Sequence, residues 1–254
     1  MSVMYKRILA IGDIHGEWDK FLSVYDKIAF NPPEDLLVFV GDYVDRGPKP
    51  LEVLDWMTAH AEDPNIVMLR GNHDQLMLDY YMSKEAQKAR GWIVPEQHYG
   101  DKWLDNGGDE TKYLLEQRKR SGSPEEYAAF LERCLTFLGS RPLWFRIQAG
   151  GRDFFFCHAG VKADVPLDQQ DPHDLLWMRY DFFMRFNEME DKKSGPVVVA
   201  GHSPVPYIRS GLDKGDKNLP VIHDNMILVD TGACLDGRLS CVDVLSGQIW
   251  QSDK

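Results

Sequence analysis

Apolar and polar positions in this chain follow two periods. Short apolar runs at 8–11, 36–40 and 66–69 have the length of buried strands. After the first, Trp18, Phe21, Leu22, Tyr25 and Ile28 recur at three- and four-residue spacing, which predicts a helix with one apolar stripe. A second helix is expected from Pro50, whose missing N–H is harmless in a first turn, and Pro64 closes the link to the third run. The order is β-α-β-α-β, the pattern of a sheet covered by helices.

Residues 84–140 break this rhythm. They are polar, read as helical, and are interrupted at Gly91, Pro95, Gly107-Gly108 and Ser121-Gly122-Ser123-Pro124. One helix is expected over 124–138, with Phe130, Leu131, Leu135 and Leu138 as its buried stripe. We read the block as a helical elaboration between two halves of a single domain spanning 1–254. Strands are then expected at 143–149, 153–157, 197–201, 226–230 and 238–244, with Gly232, Gly237 and Gly247 in hairpin-type turns. No fixed-period repeat is present.

Five of the apolar runs end in turns that carry ligand-type side chains. The turns are Gly12-Asp13-Ile14-His15-Gly16, Gly41-Asp42-Tyr43-Val44-Asp45-Arg46-Gly47, Arg70-Gly71-Asn72-His73-Asp74, Cys157-His158-Ala159-Gly160 and Gly201-His202-Ser203-Pro204. Asp13 and His15, two apart, share one face of an extended segment and can reach one ion. Asp42 can bridge two ions through its two oxygens. Asn72 offers a carbonyl oxygen, and His158 and His202 offer imidazole nitrogens. Mixed nitrogen and oxygen donors without thiolate suit Mn²⁺, Fe or Zn²⁺ better than a structural zinc site. Two such ions lower the pKa of a shared water and clamp an in-line displacement at phosphorus. Arg46 and Arg70 lie in the same turns and match phosphate geometry. His73 is the natural proton donor to a leaving alkoxide, and Asp45 can hold it as imidazolium.

Composition narrows the class. The 254 residues, 43% hydrophobic and 27% charged, suffice for one large domain with its own core. A net charge of −11 disfavours a general nucleic-acid surface but leaves room for one phosphate in a cationic pocket. No run approaches the roughly 18 apolar residues of a membrane span. The N-terminus enters a strand almost at once, so a cytoplasmic protein without a cleaved signal is expected. Cys134, Cys157, Cys234 and Cys241 form no Cys-x-x-Cys pair and are expected as reduced thiols.

The first three turns closely resemble the signature motifs of calcineurin-like metallophosphoesterases of the phosphoprotein phosphatase type. Cys-His-Ala-Gly and Gly-His-Ser-Pro resemble that family's two remaining metal-histidine motifs, and the likeness, strongest to compact bacterial members, runs from residue 7 to about 244. The resemblance implies a four-layer α/β/β/α sandwich of two mixed sheets. It implies Asp13, His15 and Asp42 on a first metal, and Asp42, Asn72, His158 and His202 on a second. His73 paired with Asp45 would be the general acid, and Arg46 and Arg70 would bind phosphate. Arg179, in Asp174-Leu175-Leu176-Trp177-Met178-Arg179, resembles a further phosphate-binding arginine, and Trp103 with Asn106-Gly107-Gly108 is similar to a feature of bacterial members. The expected activity is hydrolysis of phosphoserine and phosphothreonine, with phosphotyrosine accessible, by direct attack of a metal-bridging hydroxide. Two ions, Mn²⁺ foremost in vitro, are the expected cofactors. Phosphoproteins, phosphopeptides and small phosphate esters are the expected partners of a monomer. Asp74 departs from the Glu usual in protein phosphatases and is similar to symmetrical dinucleoside tetraphosphatases, which supply the alternative activity. A non-catalytic binding module on this fold is the second alternative, opposed by the intact ligand set. His60, His98, His173 and His223 are read as ordinary surface or core histidines, and Asp230-Thr231-Gly232-Ala233 is given no catalytic role.

Overall fold

In β1 (Arg7–Ile11) successive side chains leave on opposite faces. Leu9 and Ile11 join a helix-covered core, whereas Ile8 and Ala10 point into a second core beneath. β2 (Asp35–Phe39) divides in the same way, Leu37 and Phe39 against Leu36 and Val38. Both faces are therefore buried, which is why these strands read as unbroken apolar runs.

The structure, a computed structural model, describes residues 5–188 and 195–254. The other strands are β3 (Ile66–Met68), β4 (Trp144–Ala149), β5 (Arg152–Cys157), β6 (Val197–Ala200), β7 (Val221–Ile222), β8 (Met226–Leu228), β9 (Ser240–Asp243) and β10 (Ile249–Gln251). They form two five-stranded sheets, ordered β10-β9-β1-β2-β3 and β4-β5-β6-β8-β7. Both are mixed: β1-β2-β3 and β5-β6-β8 are parallel, and the flanking pairs are antiparallel.

Helices α1 (Trp18–Ile28), α2 (Pro50–Ala59), α3 (Asn72–Tyr81), α4 (Lys84–Ala89), α5 (Asp109–Ser121) and α6 (Pro124–Ser140) precede β4. Phe21, Val53, Leu54, Met77, Leu115 and Phe130 carry this helical layer onto the outer face of the first sheet. Helices α7 (Pro172–Trp177), α8 (Tyr180–Glu188) and α9 (Val205–Ile208) cover the second sheet through Leu175, Leu176, Phe182 and Val205. Between the sheets, Ile8, Ala10, Val38 and Val40 meet Phe154, Phe156, Val197, Val199 and Ile227. This is the expected α/β/β/α sandwich. No helix among the described residues is long and apolar enough to cross a membrane.

Three details depart from the sequence reading. Leu22 is exposed on α1, and Val24 takes its place beside Phe21 and Ile28. The two short strands β7 and β10 were not expected; each lies at a sheet edge, where pairing on one side leaves a weaker apolar signal. The run expected to continue as strand to 230 ends at Leu228, although the Val229 amide still donates to the Ala200 carbonyl at 2.9 Å.

Phe156 is wholly buried between the sheets and registers with Val199. Phe156→Ala is expected to cost about 3–5 kcal/mol of unfolding free energy. Equilibrium denaturation measures this, and a loss below about 1 kcal/mol would contradict the inter-sheet core as described.

Candidate metal centre

Parallel strands end on one side. The C-terminal ends of β1, β2 and β3 share an edge, and those of β5, β6 and β8 share another. The two edges meet closely: a Cβ on Gly201 would lie 2.1 Å from Asp13 Oδ1, and one on Gly71 would lie 2.0 Å from Asp42 Oδ1. Only glycine permits these approaches. The turns themselves are bent hard. His15, Asp42, Asp45, Arg46 and His202 have φ of 46°, 57°, 74°, 68° and 63°. Each is a left-handed conformation that costs a non-glycine residue of order 1–3 kcal/mol and that clusters at functional sites.

Two groups of buried donors result, and both contain Asp42. The first joins His15, Asp42 and His73, the second Asp42, His158 and His202, with ligand atoms within 4.8 Å of one another in each. Asp42 Oδ2 lies 3.3 Å from His15 Nε2 and 3.5 Å from His158 Nε2. Asn72 Oδ1 lies 2.8 Å from both His158 Nε2 and His202 Nδ1. His15 Nδ1 is 2.9 Å from the Val44 carbonyl, and His158 Nδ1 is 2.9 Å from the Val40 carbonyl. Those carbonyls accept an N–H from Nδ1, so the neutral form of each ring would present Nε2 inward to a ligand. That is the tautomer a metal-binding histidine needs. Asp13 turns its carboxylate to the His202 amide, which donates to it at 2.9 Å and 3.2 Å.

The electrostatics point the same way. Burial, reinforced by Asp230, raises Asp13 well above the usual carboxylate range. Burial also opposes ionisation of Asp42, but His158, His73 and His15 hold it well below that range. His158 is raised to about 9, since Asp42 outweighs its burial. Burial holds His15 and His202 well below the ordinary imidazole range. Oxygens and imidazole lone pairs facing one another away from water are costly unless a cation lies among them. The donor set therefore fits two divalent ions, with nitrogen and oxygen ligands that suit Mn²⁺, Fe or Zn²⁺.

His73 sits at the rim of this group. Its Nδ1 is 2.8 Å from Asp45 Oδ2, and its Nε2 accepts from Arg46 Nη2 at 2.8 Å. Arg46 Nη1 makes the matching contact to His15 Nε2 at 2.8 Å. The expectation that Asp45 holds His73 as imidazolium needs correction. Burial lowers His73 to about 4 and raises Asp45 well above its usual range. Trp103 Nε1 and Thr111 Oγ1 also donate to Asp45, each at 2.9 Å, and partly offset its burial. Asp45 orients the ring. Trp103 and Thr111 come from the helical elaboration, and Gly107 of the same segment accepts the Arg46 amide at 3.1 Å. Residues 84–140 thus reach into the centre.

Arg70 is the larger correction. All five of its N–H groups are taken: by the carbonyls of Leu138, Ile93, Gly139 and Arg141, and by Gln75 Oε1. It is 1% exposed and has no donor left for a phosphate. Proximity in the motif misled, because Gly71 and Asn72 lead into α3 while the Arg70 side chain runs into the carbonyls at the end of α6. Arg179, by contrast, points Nη1 at the His202 carbonyl and Ser203 Oγ, 3.0 Å and 3.3 Å away, beside the second donor group. Asp74 accepts from the amides of Gly71, Asp42 and Tyr43 at 2.8–3.1 Å, so the residue choice there braces two turns. Asp230, passed over in the sequence, is buried beside Asp13 and Asp42, with burial raising it to about 6. Its signal was available: it ends an apolar run as the other ligand turns do.

Comparison with known proteins agrees with this geometry. A family model described as calcineurin-like phosphoesterase matches residues 6–229. The chain belongs to the calcineurin-like phosphoesterase family. It is 33% identical to serine/threonine-protein phosphatase 2 of Escherichia coli (strain K12), covering 93% of this chain and 92% of the relative. It is 46% identical to the symmetrical bis(5'-nucleosyl)-tetraphosphatase of Methylobacillus flagellatus, covering 95% and 93%. Among solved structures, a protein serine/threonine phosphatase from Saccharomyces cerevisiae aligns with a TM-score of 0.52 at 16% identity, covering 100% of this chain and 81% of that one, a likeness of fold. As a calcineurin-like phosphoesterase the chain is a hydrolase of a dinuclear, metal-dependent family.

Arg70→Lys separates the two views of that residue. Lysine cannot span four carbonyls, and each orphaned buried group costs about 1–3 kcal/mol. The variant is expected to lose about 2–4 kcal/mol in chemical denaturation while its KM for an aryl phosphate stays within about two-fold. A ten-fold rise in KM with stability intact would restore Arg70 to the substrate site.

Proposed function

We propose that this calcineurin-like phosphoesterase hydrolyses phosphoserine and phosphothreonine esters, with phosphotyrosine accepted, by direct attack of water on phosphorus. The observation that carries the reading is the sharing of Asp42 between two donor groups, in each of which one histidine, His15 or His158, is anchored through Nδ1 on a main-chain carbonyl. Two ions bound there would supply an activated water and offset charge on the phosphoryl oxygens.

The remaining steps belong to side chains. Arg46 covers the lone pairs of His15 and His73. When the His15 lone pair is given over to a ligand role, the guanidinium is free to turn toward the phosphoryl group, where its paired N–H groups fit two oxygens. Arg179, anchored through Nη1 at His202 and Ser203, offers its other donors from the opposite side. His73 is held with Nδ1 on Asp45, so Nε2 faces the leaving group. The arriving dianion opposes the burial that lowers His73, so Nε2 takes up a proton from solvent and delivers it to the departing oxygen. The buried Trp103 keeps water from the far side of Asp45.

A second reading, symmetrical hydrolysis of dinucleoside tetraphosphates, is supported by one structural observation. Beyond Trp177, whose ring lies 6.2 Å from that of His202, the surface opens into an aromatic groove.

Purified protein is expected to bind two Mn²⁺ per chain and to hydrolyse aryl phosphates and phosphopeptides only with metal present; no bound metal and no turnover would sink the proposal. His73→Asn is expected to lower kcat on an alkyl phosphate by roughly 10²–10⁴-fold. The loss should be smaller on an aryl phosphate, whose leaving group needs less protonation. Equal losses on both would count against His73 as the proton donor.

A further inference from the structure

A carboxylate bonded only to an imidazole can still turn about its own side-chain torsions, and Asp45 is denied that freedom. Its Oδ2 lies 2.8 Å from His73 Nδ1. Arg46 can only donate, and it donates to His73 Nε2, so the proton of the neutral ring sits at Nδ1 and points to Asp45. Thr111 grips the same aspartate at two places: its Oγ1 accepts the Asp45 amide at 2.9 Å and donates to Oδ1 at 2.9 Å. Trp103 Nε1 donates between the two oxygens, 3.0 Å from Oδ1 and 2.9 Å from Oδ2. Trp103 and Thr111 are both 0% exposed. Neither belongs to a ligand-bearing turn; Thr111 lies in the first turn of α5. The segment joining them is shaped for this contact. Gly108 lies against the indole, where a Cβ would come within 2.5 Å of Trp103 Cε2, and the rings of Tyr80 and Tyr81 pack 5.0 Å and 5.7 Å from that of Trp103. Gly107 accepts the Arg46 amide at 3.1 Å. Residues 103–111 therefore hold both Asp45 and Arg46, whose backbones are left-handed at φ 74° and 68°.

We propose that Thr111 and Trp103 are positioning residues for proton delivery: acting through Asp45, they fix the His73 ring so that Nε2 stays aimed at the departing oxygen. One hydroxyl ties the Asp45 main chain to its own side chain, so neither the turn nor the carboxylate can shift alone. The indole N–H spans both oxygens and opposes rotation of the carboxylate plane. Without these two donors Asp45 keeps only His73 as a side-chain partner, and the pair can swing together. Misplacement of a reacting group by about 1 Å can cost about 10²-fold in rate. Valine at 111 keeps the shape of threonine but has neither the donor nor the acceptor, whereas serine keeps both. Phenylalanine at 103 keeps an aromatic body and removes the N–H. A role confined to satisfying a buried carboxylate would weaken the fold but would treat every substrate alike. A positioning role affects most the esters whose leaving groups need the proton.

This role rests on His73 as proton donor in the proposed function, and leaving-group dependence separates the two. With Mn²⁺, Thr111→Val and Trp103→Phe are each expected to lower kcat on an alkyl phosphate by about 10–100-fold, with a clearly smaller loss on an aryl phosphate and KM within about two-fold. The alkyl-to-aryl ratio of kcat, measured on one preparation, does not depend on how much of the variant is folded. Thr111→Ser should bring that ratio back to within about three-fold of the wild type. In a His73→Asn background, Thr111→Val should cost no more than about a further two-fold on the alkyl phosphate, because residues that act as a unit are not additive. Equal losses on the two esters, or the same loss with and without His73, would overturn the positioning role and leave His73 as the donor. If His73→Asn itself fails to separate the two esters, donor and positioning role fall together. Failure of the wild type on every phosphate ester would overturn the proposed function as well.

Discussion

Five aspartates buried in one place are the constraint around which this molecule is built. Asp13, Asp42, Asp45, Asp74 and Asp230 are each no more than 5% exposed, and all lie at the edge where the two sheets meet. Carboxylates away from water need hydrogen bonds or counter-charge. Each finds a different answer. Asp74 takes three main-chain amides and Asp45 takes Trp103, Thr111 and His73, while Asp13 and Asp230 take the amides of His202 and Gly232. Asp42 alone stays well below the carboxylate range through histidines, and it is the one placed between the two donor groups. The one carboxylate of the five that histidines hold ionised is thus the one between the two candidate metal positions.

Holding that arrangement requires strain, and the sandwich is what sustains it. Five residues of the centre occupy left-handed backbone, each conformation costing of order 1–3 kcal/mol. The strands that lead into those turns are buried on both faces by separate cores. Their ends have little freedom to relax. The glycines at 71 and 201 let the strained turns close over Asp42 and Asp13 without a side chain in the way.

What was legible in the sequence follows from this division. Double burial made the central strands visible as apolar runs, and the turns after them exposed Asp13, His15, Asp42, Asn72, His158 and His202 as a set. The edge strands β7 and β10 lacked that signal. Arg70 was misjudged because motif membership says nothing about side-chain direction; its guanidinium runs into the carbonyls around Leu138 and Gly139. The relation of Asp45 to His73 was read from adjacency of charges, whereas burial decides it, and burial depends on Trp103 arriving from 58 residues away in sequence.

Arg46 is where these separate requirements become one. Its backbone is left-handed, its amide is fixed by Gly107, and its two terminal nitrogens rest on His15 and His73. One guanidinium therefore contacts a candidate metal ligand and the candidate proton donor at once. There it donates to His15 Nε2 and to His73 Nε2. Under the proposed function, a ligand role for His15 would free one arm of this fork, and a phosphate dianion would offer the guanidinium charge-assisted bidentate bonds in place of two imidazoles. One side chain would then link the candidate ligand site, the phosphate and the candidate proton donor.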